Sequence, residues 1–117
     1  MNNTIINFNY KGEEYKLEYS KNAIKIIEAQ GFDVNNFLDK PMTNIELAFT
    51  GAFIKNHPKI STAKVSEMLE SCPNKQELVA ALIQMINEQY SGLTEEPTEE
   101  DSKNVSWSVI DTTPKKN

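Results

Sequence analysis

The sequence predicts an α+β fold, with an N-terminal β-hairpin packed on a bundle of about four helices and a flexible acidic C-terminal tail. Three patterns indicate this. Apolar and polar residues alternate near the N-terminus, as they do in half-buried strands. Apolar residues then recur at helical spacing as far as Gly92, and acidic residues dominate beyond it. We therefore expect a compact domain at residues 1–92 and a largely disordered tail at residues 93–117.

The hairpin is predicted from two short alternating segments. Between them lies Lys11-Gly12, where glycine accepts the positive φ that a two-residue turn requires. This turn pairs Phe8 with Tyr15 and Ile6 with Leu17. All four side chains then lie on one face, so the register and the apolar pattern agree.

The first helix should begin after Ser20, a suitable N-cap, and reach Gln30. Gly31 follows at the position where a glycine commonly ends a helix. Residues 33–38 should form a short turn that directs three apolar side chains inward: Val34, Phe37 and Leu38.

The second helix should begin at a capping box formed by Thr43 and Glu46 and run to about His57, because Pro58 follows. Its buried stripe is predicted to comprise Ile45, Phe49, Ala52 and Phe53. Leu47 and Ile54 are also apolar but lie on another side of the helix. We therefore predict that Leu47 and Ile54 line a partner-binding groove.

Two further helices complete the predicted bundle. Ser61 should cap the third, and a capping box of Asn74 and Glu77 should open the fourth, which reaches about Tyr90. The core face of the fourth helix is predicted to contain Leu78, Val79, Leu82, Met85 and Ile86.

The tail contains an apolar island within acidic surroundings. Residues 93–117 carry six acidic residues and three lysines, a net charge of −3. In the island, residues 105–110, Val105, Trp107 and Val109 alternate with polar residues. Two interpretations remain open: the island docks on a partner by strand addition, or it pairs with the hairpin as a third strand.

Catalytic and metal-binding patterns were sought without success. His57 is the single histidine, and no His, Cys or carboxylate stands three or four residues from it. Cys72 continues the stripe of Val65 and Leu69, which favours a buried apolar role. No nucleotide-binding glycine motif and no CxxC pair occurs. We predict that the chain is not an enzyme and uses no metal or cofactor.

Charge argues against nucleic acid as a partner. The net charge is −5, and all twelve basic residues are lysines, so the bidentate fork of arginine is missing. Residues 61–86 have the outline of a helix-turn-helix, but their basic footprint is weak. The sequence also contains no apolar run of membrane-spanning length and no signal peptide pattern, so we expect a cytosolic protein.

The order of elements resembles a known family. The features concerned are a hairpin ending at Tyr19, a helix that carries Ala23 and Ile27 and closes at Gly31-Phe32, and the block AFTGAFIKNHPKIS at residues 48–61. Over residues 4–92 these resemble the tail assembly chaperones of long-tailed bacteriophages, particularly the type common in phages of Gram-positive hosts.

The resemblance implies a non-catalytic helper. Members of that family bind the tape-measure protein, keep it soluble, and leave as tail-tube subunits polymerise around it. The expected partners are thus the tape-measure protein and the major tail tube protein, and self-association is compatible with the sequence. The expected location is the host cytoplasm, with little of the protein in the mature virion. Many members exist as a short and a frameshifted longer form, of which this chain would be the short one.

Two other functions are compatible with the sequence. One is a different small structural or adaptor protein of the phage head–tail module. The other, less favoured, is a helix-turn-helix-like regulator, which would show salt-dependent DNA binding.

Overall fold

The computed structural model describes residues 4–110 and confirms the α+β class. A two-stranded antiparallel hairpin comes first, followed by helices. The strands are β1 (Ile6–Tyr10) and β2 (Glu13–Leu17). The helices are α1 (Lys21–Ala29), a 3₁₀ turn (Phe37–Asp39), α2 (Pro41–Ile54), α3 (Thr62–Ser71), α4 (Lys75–Ser91) and α5 (Glu99–Ser102).

The hairpin register is the predicted one. Phe8 pairs with Tyr15, and Ile6 pairs with Leu17. Lys11-Gly12 forms the turn, with φ values of 49° and 84°. Two successive positive φ angles match the right-handed twist of the flanking strands, so turn and register support each other.

α1 begins and ends as predicted. The Ser20 hydroxyl accepts a hydrogen bond from a backbone N–H of the first turn at 3.0 Å. At the other end Gly31 has a φ of 109°, and its N–H donates to the Glu28 carbonyl. The Phe32 N–H donates to the Ile27 carbonyl, which completes a Schellman motif and turns the Phe32 ring into the core.

α2 is the central helix of the domain, in contact with α1, α3, α4 and β2. Phe49, Ala52 and Phe53 are fully or almost fully buried on it. Gly51 brings α2 close to α1, because a Cβ at this position would lie 3.0 Å from Cγ2 of Ile27. The glycine therefore serves helix packing.

The residues that follow α2 hold the outer edge of β2. The Lys16 N–H donates to Nε2 of His57 at 3.0 Å, and the Asn56 side chain donates to the Lys16 carbonyl. Lys55 donates to the buried carboxylate of Glu18 at 2.8 Å. This hydrogen bond is the main reason why the pKa of Glu18 is lowered. The hairpin is thus fixed to α2 by side chains as well as by apolar packing.

Three expectations about local structure were wrong. α2 starts at Pro41 and not at Thr43, because proline at the first helical position has the required φ and needs no N–H partner. Asn74 makes no side-chain cap and takes a left-handed conformation with φ of 55°. Leu38 does not point inward; it is 85% exposed. Cys72 is half-buried at the end of α3.

The C-terminal segment is exposed over all of its described length, residues 93–110. The short helix α5 was not expected; the Thr98 hydroxyl caps it by accepting from the Asp101 N–H. Residues 105–110 form no strand, and the sheet of the described chain has two strands, so the third-strand interpretation is not realised here. The remaining predicted tail, residues 111–117, lies outside the described residues.

Candidate partner-binding groove

The five residues predicted to bind a partner lie in two different environments. Leu47 and Ile54 are half-buried and pack against the core. Val105, Trp107 and Val109 are 71%, 84% and 83% exposed. The structure does not bring the two groups together in one site.

A concave apolar surface lies elsewhere, between the start of α2, the end of α3 and the first half of α4. We call this surface the apolar groove; its volume is about 660 Å³. Nine apolar residues line it: Phe37, Leu38, Pro41, Met42, Ile45, Leu69, Val79, Ala80 and Ile83. Four polar residues complete the lining: Glu46, Glu70, Lys75 and Gln76.

Two of the lining side chains are unusually exposed for their type. Leu38 is 85% exposed and Met42 is 79% exposed, and both line the same groove. Contiguous exposed apolar side chains inside a concavity mark interaction sites more often than scattered ones do. Met42 adds an unbranched, adaptable side chain of the kind common on surfaces that accept varied partners.

A buried asparagine holds the wall that carries Leu38. Asn44 is 1% exposed, and its Oδ1 accepts a hydrogen bond from the Asp33 N–H at 3.0 Å. Its Nδ2 donates to the Phe37 carbonyl at 3.1 Å. Because both groups belong to the segment between α1 and α2, Asn44 fixes that segment on α2 and so positions the 3₁₀ turn.

The opposite wall is formed where α3 passes into α4. Lys75 opens α4, and its Nζ donates to the carbonyls of Glu70 and Cys72, both at 2.9 Å. A cation bound to the last carbonyls of a helix offsets the negative end of its dipole. Lys75 therefore joins the two helices, and its positive charge is held against the carbonyl groups at the end of α3.

The two carboxylates of the groove are both exposed to solvent. Glu46 and Glu70 are exposed on its rim. The ion pairs within residues 4–110 involve other side chains, namely Lys11 with Glu67, Lys55 with Glu18, and Lys64 with Glu13. The groove thus combines an apolar floor with a rim of net negative charge.

The sequence reasoning did not predict the groove, although it had assigned roles to some of its residues. Ile45 and Val79 were assigned to core stripes; both are half-buried and line the groove instead. The spacing of Val79 and Ile83 indicates a second apolar line on α4. Whether that line is exposed depends on how α2, α3 and α4 diverge, which the spacing does not reveal.

Two side chains that could take part in proton transfer, those of His57 and Tyr90, make hydrogen bonds within the fold. Nε2 of His57 accepts the Lys16 N–H, and its ring stacks edge-on against Tyr15 at 5.1 Å between centroids. Burial and a hydrogen bond to Glu28 raise the pKa of Tyr90. Among residues 4–110, no three His, Cys, Asp or Glu side chains are grouped to hold a metal ion. None of the described helices has the length and apolar character needed to cross a bilayer.

Comparison with known proteins identifies a family whose function is unknown. No curated protein and no solved structure matches the chain. One family model, described as "Domain of unknown function (DUF5055)", matches residues 1–110 and thus includes every element above. Because this match covers nearly the whole sequence, the chain belongs to the DUF5055 family.

Proposed function

We propose that this protein is a non-catalytic tail assembly chaperone that binds a phage tape-measure protein through the apolar groove. The observation that carries the proposal is the exposure of Leu38 and Met42 within one concavity. The resemblance described for residues 4–92 supports the same role. A tape-measure protein is long, helical and amphipathic, and a groove between helices suits such a partner.

The size of the exposed apolar surface fits reversible binding. Complete burial of a leucine or methionine side chain is worth about 1.5–3 kcal/mol, so Leu38 and Met42 together contribute about 3–6 kcal/mol. Association itself costs about 4–15 kcal/mol, so these two side chains alone do not give tight binding. Weak repeated contacts along a long helix suit a chaperone that must leave as tube subunits assemble.

The tail is a second contact region in this proposal. Val105, Trp107 and Val109 are exposed and alternate with serines, so they can dock on a partner as an extended segment. Such a contact would involve the tape-measure protein or the tail tube protein. The action of the protein would take place in the host cytoplasm, with little of it in finished virions.

The test is co-expression with the long helical protein encoded nearby, scoring how much of that protein becomes soluble. Wild-type chain should solubilise it, and the double variant Leu38→Asp/Met42→Asp should not. Leu93→Asp is the matched control, because Leu93 is 64% exposed and lies outside the groove. If the double variant works as well as wild type, groove binding is excluded; if wild type fails too, the chaperone role is excluded.

The residues first predicted from the sequence require a different design. Leu47→Asp and Ile54→Asp place a charge against the core, so a loss of solubilisation can result from unfolding. Circular dichroism must accompany both variants. If a folded Leu47→Asp or Ile54→Asp protein binds normally, those residues are not part of the partner surface.

A DNA-binding regulator remains the alternative with the least support. In a helix-turn-helix reading α4 would carry the recognition residues, yet the Lys75 ammonium is bound to α3 carbonyls and Glu77 follows it. Electrophoretic mobility shifts at low salt decide the matter, since salt-dependent binding to DNA would favour the regulator.

A further inference from the structure

The groove has the dimensions of a short helical segment. Along α4 its lining runs from Lys75 to Ile83, a span of nine residues or about 12 Å at a rise of 1.5 Å per residue. Along α2 it includes Pro41, Met42, Ile45 and Glu46, one face of the first turns. A wall of this length accommodates about two turns of a partner helix, which present anchors at i, i+3 or i+4, and i+7.

The chemistry of the lining favours a helix over an extended peptide. Apart from the 3₁₀ turn, the walls are α-helices, whose N–H and C=O groups beyond the terminal turns are already hydrogen-bonded within each helix, and nine of the thirteen lining residues are apolar. An extended peptide on this apolar surface would lose water from its backbone groups without gaining partners. A helix satisfies its own backbone and offers only side chains to the groove.

The charge of the rim specifies the flanks of that helix. Glu46 and Glu70 are exposed at the groove, whereas the Lys75 ammonium is held by α3 carbonyls. Five more carboxylates lie in residues 95–101, and the chain carries −5 overall. Basic partner residues would be attracted and acidic ones repelled.

We infer that the apolar groove binds an amphipathic helix whose apolar stripe is flanked by lysine or arginine. The inference rests on the proposed function, since it specifies the partner of the same groove. It adds a charge requirement that the resemblance does not contain. It also predicts that binding weakens with salt, because rim charges are screened over about 10 Å at 0.1 M.

Two synthetic helical peptides test the inference with the full-length protein. Both carry leucines at i, i+3 and i+7; one has lysines and the other glutamates beside the stripe. Fluorescence anisotropy of a labelled peptide gives Kd. At low salt the lysine peptide should bind at least about tenfold more tightly, and high salt should reduce the difference.

Three groove variants and one control variant locate the interaction. Glu46→Lys and Glu70→Lys should each weaken the lysine peptide about threefold to tenfold, while Glu14→Lys, an equal charge change on the exposed face of β2, should not. Met42→Asp should abolish binding of the lysine peptide. Equal affinity for both peptides, or unchanged binding by Met42→Asp, overturns the inference.

The remaining outcomes separate this inference from the chaperone role. If the peptides do not bind but the tape-measure protein is solubilised, the inference fails and the role stands. If the lysine peptide binds in the groove but no tape-measure protein is solubilised, the role fails and the inference stands. If Met42→Asp dissociates a dimer of the free protein, a second copy occupies the groove. If it shifts the Trp107 emission to the red, the tail occupies the groove. Either result also overturns the inference.

Discussion

Replacing Gly51 by alanine tests how closely α1 and α2 are packed. A Cβ at Gly51 would lie 3.0 Å from Cγ2 and 3.2 Å from Cδ1 of Ile27, and 3.5 Å from the Tyr19 ring. Ile27 is fully buried, and its branched side chain has few rotamers with which to withdraw. The two helices must therefore separate, or the core must rearrange, to accept one methyl group.

The expected magnitude is the difference between two opposing effects. Alanine in a helix interior is favoured over glycine by about 0.8–1 kcal/mol. Overpacking a core with an added methyl group costs about 1–3 kcal/mol. Gly51→Ala should therefore lower the free energy of unfolding by about 1 kcal/mol. In an Ile27→Ala background the obstruction is gone, and the same substitution should raise it by about 1 kcal/mol.

Urea unfolding followed by far-UV circular dichroism measures all four proteins of this cycle. The predicted coupling between positions 27 and 51 is about 2 kcal/mol. Gly92→Ala is the control, because Gly92 has a φ of −63° that alanine adopts without strain. If Gly51→Ala stabilises the wild type as much as it stabilises Ile27→Ala, the close contact does not determine the choice of glycine.

Four further predictions concern the elements around the core. Lys55→Met should lower the free energy of unfolding by about 1–3 kcal/mol in urea at neutral pH, because it leaves the Glu18 carboxylate buried without its ammonium partner. The pKa of Glu18 is lowered in the folded state, so its contribution to the free energy of unfolding is complete above the unfolded-state pKa near 4.5. That contribution is lost as the pH falls through the lower pKa of the folded state. The loss of stability caused by Glu18→Gln should therefore become smaller below about pH 4.5. His57→Ala should cost about 0.5–1.5 kcal/mol in thermal unfolding by removing the acceptor of the Lys16 N–H, an exposed hydrogen bond that water partly replaces, and His57→Gln should recover part of the loss. Gly31→Ala should cost about 1–3 kcal/mol in the same assay, because its φ of 109° strains any residue with a Cβ.

The elements best predicted from the sequence are those whose signals are local. The hairpin follows from alternation and from Lys11-Gly12, and both can be judged within twelve residues. Ser20 and Ser61 act as N-caps because a hydroxyl next to a helix start needs no distant partner. Gly31 ends α1 for an equally local reason.

The features that sequence patterns missed depend on competition between alternatives. Thr43 and Asn74 both had capping-box spacing, yet Pro41 started its helix earlier and Asn74 adopted a left-handed conformation. Asn44 is buried on the inner side of α2, where an apolar residue was the default expectation. Its two hydrogen bonds to the segment before α2 justify its burial, and they became visible with the tertiary structure.

The apolar groove lies at a different part of α2 from the one that the first partner-binding hypothesis examined. Because α2 is apolar on two sides, the side with Leu47 and Ile54 was predicted to be free for a partner. In the structure both sides pack against the rest of the domain, because α2 is surrounded by α1, α3, α4 and β2. Apolar surface stays open at the start of α2 instead, where α3 ends and α4 begins. Side chains at that end, such as Leu38 and Met42, can therefore be altered without opening the core, which makes function and stability separable in the experiments proposed here.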